Sequence, residues 1–272
     1  MKSGYRYAMS VALLLTIASG SSGQNEDIVV QRRSETPLRA VVKALTPVSY
    51  GHQVGRWHQP ICFEVIGLKP IYAQLIRQQV MDEIAHLDLS VDRNSHCSAN
   101  LIVAATMDAD GAAQDLYKTE PWLLSDPEDG NPPRQRIDAL LQPQPVRWFV
   151  ANRRMPSSGL SAMPSRIRLL SHEETICAYI LLDANKLSGA TWRQIGDYVA
   201  FVSLAGPEPG TAYDNASILS LFSERAVGRR GPPALTAQDN RFLDALYASD
   251  ASLPAEQERY DIERRMQAGI KP

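Results

Sequence analysis

The side chains able to do chemistry are scattered along this chain rather than gathered in motifs. Its five histidines are His52, His58, His86, His96 and His172. No two stand four residues apart, the helical spacing that turns a pair of imidazoles toward one zinc ion. His172-Glu173-Glu174 begins like the zinc-protease motif, but Ile176 sits where the second histidine belongs, and the motif fails. There is no Gly-x-Ser-x-Gly elbow, no Gly-rich phosphate loop and no Ser-x-x-Lys. Asp108 and Asp110 read as solvated turn residues rather than an acid/base pair. One charge cluster stands out: Arg147, Arg153, Arg154, Arg166 and Arg168. On neighbouring strands these guanidinium groups would share a face and could hold an anionic ligand or a peptide carboxylate. The plainer reading is a solvated sheet face paired with local acids. Cys62, Cys97 and Cys177 complete the reactive set.

The elements that would position these groups begin after an export signal. Lys2 and Arg6 form a short basic stretch ahead of an uncharged apolar run over residues 7–18, and Ala18-Ser19-Gly20, or Ser21 to Gly23, offers small residues for cleavage. About a dozen apolar residues fall short of the ~20 that span a bilayer. The 272 residues carry 28 Lys and Arg against 30 Asp and Glu, a net charge of -2, with 44% hydrophobic residues. That is a globular composition without the basic excess of a nucleic-acid binder. Residues 61–66 form a β-branched and aromatic run closed by Gly67, which predicts a strand. Pro70 then opens a helix in which Ile71, Leu75, Ile76, Val80, Ile84 and Leu87 recur at three- and four-residue spacing. The continuously apolar residues 101–105 predict a strand covered on both faces. Strand, helix and strand make a βαβ unit with parallel strands. Cys62 and Cys97 then lie at the starts of neighbouring parallel strands, at one end of the sheet, and should form a disulfide. Cys177, inside an apolar strand over 176–182, is a buried thiol.

Downstream, helices are predicted over 112–124 and 133–141 and strands over 146–151, 166–170 and 175–183. A helix over 191–205 turns Trp192, Ile195, Val199 and Val202 to one side and is stopped by Gly206-Pro207. Thr236 is an N-cap for a helix ending near Ala248. A charged helix over 256–268, with a thin stripe of Tyr260 and Met266, reads as a surface element. Glu26 to Arg33 is a short apolar run between charges and resembles the N-terminal stretch of TonB-dependent receptors; no barrel-length sequence follows it, and an edge strand or loose tail is the simpler reading.

Asp214-Asn215-Ala216-Ser217-Ile218-Leu219, followed by Leu235-Thr236-Ala237-Gln238-Asp239 and residues 242–247, resembles the closing portion of the metzincin proteases. There a Ser-Ile-Met turn underlies the metal and a helix packs behind it. The resemblance covers about 57 residues and implies a zincin-like fold. In that family the preceding helix carries His-Glu-x-x-His-x-x-Gly-x-x-His. Here Gln194 and Tyr198 fall at the first two ligand positions, Ile195 at the general base and Leu204 at the third ligand. Phe201 replaces the glycine, and Leu219 the methionine of the turn. Ile and Leu can neither ligate zinc nor activate water. The resemblance thus implies a degenerate zincin without its metal.

These observations predict an α+β protein: a βαβ start with a mixed sheet, then a C-terminal helical part, zincin-like. Residues 1–23 are the signal peptide, 24–55 an extended N-terminal segment and 56–272 one α+β domain. The expected function is non-catalytic binding or structure in the periplasm or outside the cell, with no cofactor and no metal. An alternative is a hydrolase assembled from distant residues. Expected binding residues are Gln194, Asp197 and Tyr198, on the helix face displaced toward the old cleft and partly accessible there, with Arg153 and Arg154. The partner would be a peptide, an anionic ligand or an envelope protein, not nucleic acid, and no segment after signal cleavage spans a membrane.

Overall fold

A computed structural model describes residues 37–48, 52–124, 134–156 and 169–269. The predicted signal peptide, the Glu26 to Arg33 run, Arg166 and Arg168 lie outside the described residues. Residues 36–272 form one compact unit.

The βαβ start is present. Strand β1 (Phe63–Ile66), helix α2 (Pro70–His86) and strand β2 (Leu101–Thr106) follow in order, with β1 and β2 parallel and Phe63 beside Leu101. A preceding helix, α1 (Leu38–Leu45), replaces the extended segment expected there. Its Leu38, Val41, Val42 and Leu45 recur at three- and four-residue spacing, and the last three are buried. Within α2, Ile76, Val80 and Ile84 reach the core, whereas Ile71 and Leu75 are exposed. The buried stripe is therefore one turn shorter than the apolar spacing predicts.

Strands β3 (Val146–Pro156) and β4 (Ser171–Asp183) complete a mixed sheet in the order β1-β2-β4-β3. β4 runs parallel to β2 and antiparallel to β3. Residues 169–170 are not in a strand; the partner of β3 is β4, lengthened to Ser171 beyond the apolar run that announced it. Ala178, Ile180 and Leu182 face one core, and Cys177, Tyr179 and Leu181 face smaller clusters on the other side. Alternation along a strand with both faces buried produces this pattern. Helices α3 (Ala109–Thr119) and α4 (Arg134–Leu141) cover the smaller clusters, and a 3-10 turn at Pro121–Leu124 follows α3.

The larger core lies under α2, α5 (Trp192–Ala205), α7 (Ala237–Ala248) and α8 (Ala255–Ala268). A short 3-10 turn (Ile218–Ser220) runs into α6 (Leu221–Ala226). Thr191 and Gln194 form a capping box at the start of α5, and Gly206, at φ 58°, closes its end in the left-handed region. The Trp57 and Tyr247 side chains donate to the carbonyls of Ser203 (2.8 Å) and Leu204 (2.9 Å). They satisfy acceptors that the end of any helix leaves open. At Gly196 a Cβ would come within 2.7 Å of Gln79 Cγ, so glycine lets α2 approach α5. Thr236 caps α7 as predicted, in a box with Asp239. Helix α8 is not a surface element: Glu258, Ile262 and Met266 are buried, while Tyr260 is exposed.

Cys62 and Cys97 are joined, with Cα atoms 6.1 Å apart, and Cys177 is free and half-buried. Burial pushes the Cys177 thiol pKa up, away from a reactive thiolate. Among the described residues no helix is long and apolar enough to cross a membrane.

Candidate functional site

Helix α5 carries three of the expected binding residues, and the side that carries them is covered. Gln194, Asp197 and Tyr198 are all buried, contrary to the expected partial access. Gln194 Oε1 accepts the Thr191 amide at 2.9 Å, and its Nε2 donates to the Pro232 carbonyl at 2.7 Å. Asp197 Oδ2 accepts the Leu235 amide at 3.2 Å, and burial holds its carboxyl pKa up. The Tyr198 ring packs edge-on between Trp148 and Phe222. The segment from Pro232 to Leu235 thus closes over this part of α5, and the Gln194 and Asp197 side chains are engaged internally. Behind it, Asp239 Oδ2 accepts the amides of Ile218 (2.8 Å) and Thr236 (2.9 Å), fixing the Ser217-Ile218-Leu219 turn to α7. Burial raises the Asp239 pKa against these bonds.

The arginine cluster is divided. Arg147 is buried, donating to the Ala109 carbonyl at 2.8 Å and pairing with Asp110. Asp110 is exposed in the first turn of α3, and there it serves as the counter-ion of Arg147. Past a bulge at Ala151/Asn152, Arg153 and Arg154 stand opposite Glu174 and Glu173, and Arg154 Nε lies 3.4 Å from Glu173. The two arginines are matched by acids across the ladder, which is the plainer of the two readings.

Histidines collect beside this end of β4. His52 Nδ1 lies 3.0 Å from the buried Glu173 carboxylate. His58 and His172 meet edge to face, with ring centroids 4.6 Å apart. Burial first, then the charges of His172 and Arg56, push the His58 pKa down to about 4, so its ring is neutral at pH 7. Arg56 itself is buried and paired with Glu258, whose other oxygen accepts the Val54 amide at 3.1 Å. Among the described residues no three His, Cys, Asp or Glu side chains gather as a full metal cage requires.

A third feature has no counterpart in the sequence reading. Ala40, Lys43 and Ala44 of α1, Gln135 and Arg136 of α4, the segment through Glu208 and Thr211, and Arg259 of α8 line an open groove of about 590 Å³. Arg259 is held in place by the Thr46 carbonyl (2.6 Å), the Thr46 hydroxyl (3.0 Å) and Glu256 (2.6 Å). Arg136 lies 3.7 Å from Glu208. Lys43 is exposed and makes no ion pair among the described residues. Three cations thus face the groove, and among the described residues Glu208 is its one acidic lining residue. Sequence reading missed them because they come from three separate helices; the apolar spacing of α1 was the one local signal.

Comparison of the chain with family models, curated proteins and solved structures gives no match. The metzincin resemblance therefore rests on the residues of this chain alone.

Proposed function

We propose that this chain is an exported, non-catalytic binding protein on a degenerate zincin-like fold, and that it takes a small anionic ligand in the groove between α1, α4 and α8. The observation that carries this reading is the convergence of Lys43, Arg136 and Arg259 on one groove, where Lys43 makes no ion pair among the described residues. Arginine forks suit carboxylate and phosphate oxygens, and Arg259 is already oriented by its bonds to Thr46. Export is supported by the basic-apolar N-terminal pattern and by the Cys62–Cys97 disulfide, which persists in an oxidising compartment. The zincin-like ancestry is supported by the order of elements and by the Ser217-Ile218-Leu219 turn with α7 behind it. Loss of catalysis is supported by the closure of residues 232–235 over Gln194 and Asp197, neither of which could reach substrate.

Calorimetric titration of the exported chain with citrate and with pyrophosphate tests the proposal. Saturable, salt-sensitive binding is expected, lost in a Lys43→Gln/Arg136→Gln variant and kept in an Arg153→Gln/Arg154→Gln variant. Binding that survives the first variant, or no saturable binding at all, overturns the groove. Stoichiometric zinc with peptide hydrolysis overturns the non-catalytic reading.

A further inference from the structure

The five histidines differ in what their rings are bonded to. His52 is committed to Glu173 and His86 to Asp244, each at 3.0 Å. His58 and His172 are not: among the described residues neither ring has a hydrogen-bond partner, and each has the other as its ring neighbour at 4.6 Å. Both are reachable from solvent, His58 being exposed and His172 half-buried. Their backbones are also held. The Arg56 carbonyl accepts the Thr175 amide at 2.8 Å, and Gln59 Nε2 donates to the carbonyls of Thr175 (3.2 Å) and Ile176 (3.3 Å). The stretch carrying His58 is thus laced to β4, the strand that carries His172, on both sides of His58. Two imidazoles with uncommitted nitrogens, side by side on tethered backbones, form half of a coordination shell.

We infer that His58 and His172 together bind one late first-row divalent transition-metal ion, with solvent filling the remaining positions. The chemistry selects the class. Imidazole suits Cu²⁺, Ni²⁺ and Zn²⁺ and not the oxygen-seeking Mg²⁺ or Ca²⁺, and Cu²⁺ is held most tightly. Bonds of about 2.0–2.1 Å from each nitrogen require the two donor atoms to come within roughly 3 Å. Rings whose centroids are already 4.6 Å apart reach that by side-chain rotation at the exposed His58. The nearby Arg56 charge is offset by its buried partner Glu258. Among the described residues no third protein ligand gathers here, so the site is open and exchangeable rather than structural.

The test uses the full exported chain and the metal ion alone. With Cu²⁺, calorimetry should give one equivalent per chain at this site, and electron paramagnetic resonance should show two imidazole nitrogens on the copper. His58→Asn and His172→Asn should each weaken that binding at least tenfold with thermal unfolding unchanged, while His96→Asn leaves it intact. Zn²⁺ should compete for the same site. Binding that is equal in wild type and both variants, or a nitrogen signature that survives the His58→Asn/His172→Asn double variant, overturns the inference. So does the absence of any copper binding that His58 or His172 affects. None of these outcomes bears on the groove, whose residues lie on other elements.

Discussion

Replacing Gln194 by alanine tests whether the face of α5 is closed. The side chain does two jobs: Oε1 completes the capping box on the Thr191 amide, and Nε2 donates to the carbonyl of buried Pro232. Thr191 is exposed, so water replaces the first bond and its loss costs a few tenths of a kcal/mol, about the lower end of a capping effect. The second loss leaves a buried carbonyl without a partner, which costs about 1–3 kcal/mol. Together they predict a loss of roughly 1–3.5 kcal/mol, or about 2–14 °C in Tm for a unit of this size. An exposed residue such as Arg193, replaced by alanine, should change stability by less than about 0.5 kcal/mol. Urea unfolding followed by tryptophan fluorescence measures the global term. Trypsin cleavage after Arg229 or Arg230, just ahead of the covering segment, measures the local one, and should speed up more in the variant than global unfolding accounts for. If Gln194→Ala unfolds like wild type and its cleavage rate is unchanged, Pro232 does not close the helix and the binding face must be reconsidered.

Three further outcomes are expected. Cys62→Ser/Cys97→Ser, which opens a 35-residue separation, should cost about 4 kcal/mol in the chain-entropy model, and non-reducing mass spectrometry of the wild type should show this linkage with Cys177 free. Glu258→Gln strands the buried Arg56 charge and should cost about 3–5 kcal/mol in urea unfolding, much of it recovered in Arg56→Met/Glu258→Leu. Asp239 has its folded pKa raised, so its stabilising contribution is complete below the unfolded value of 3.8 and falls as pH rises through the folded value. The stability of Asp239→Asn relative to wild type should therefore improve as pH rises across that interval; a constant difference would show that burial does not dominate at this carboxyl.

Some of this molecule is written locally. The βαβ start, the helix from Thr191 to Gly206, the Thr236 cap and the Cys62–Cys97 pairing each follow from a periodicity, a capping residue or a strand end, interactions that act within a few residues or one crossover. Where reading failed, the cause was distant. The stripe on α2 looked wide because Ile71 and Leu75 share its spacing, yet only packing by another element decides which apolar residues are covered. Helix α8 looked polar because the Glu258 charge is counted as solvent-facing until Arg56, about 200 residues earlier, is seen to neutralise it. Gln194, Asp197 and Tyr198 looked accessible because helix phase gives a side chain's direction but not what lies there. The segment from Pro232 to Leu235 lies over Gln194 and Asp197, and Trp148 and Phe222 flank Tyr198. The groove cations and the His58–His172 pair are further cases of the same kind, side chains from separate elements that become neighbours once the sheet and its helices pack. Spacing along the chain carries the elements; proximity across it, which a linear pattern does not encode, makes the sites.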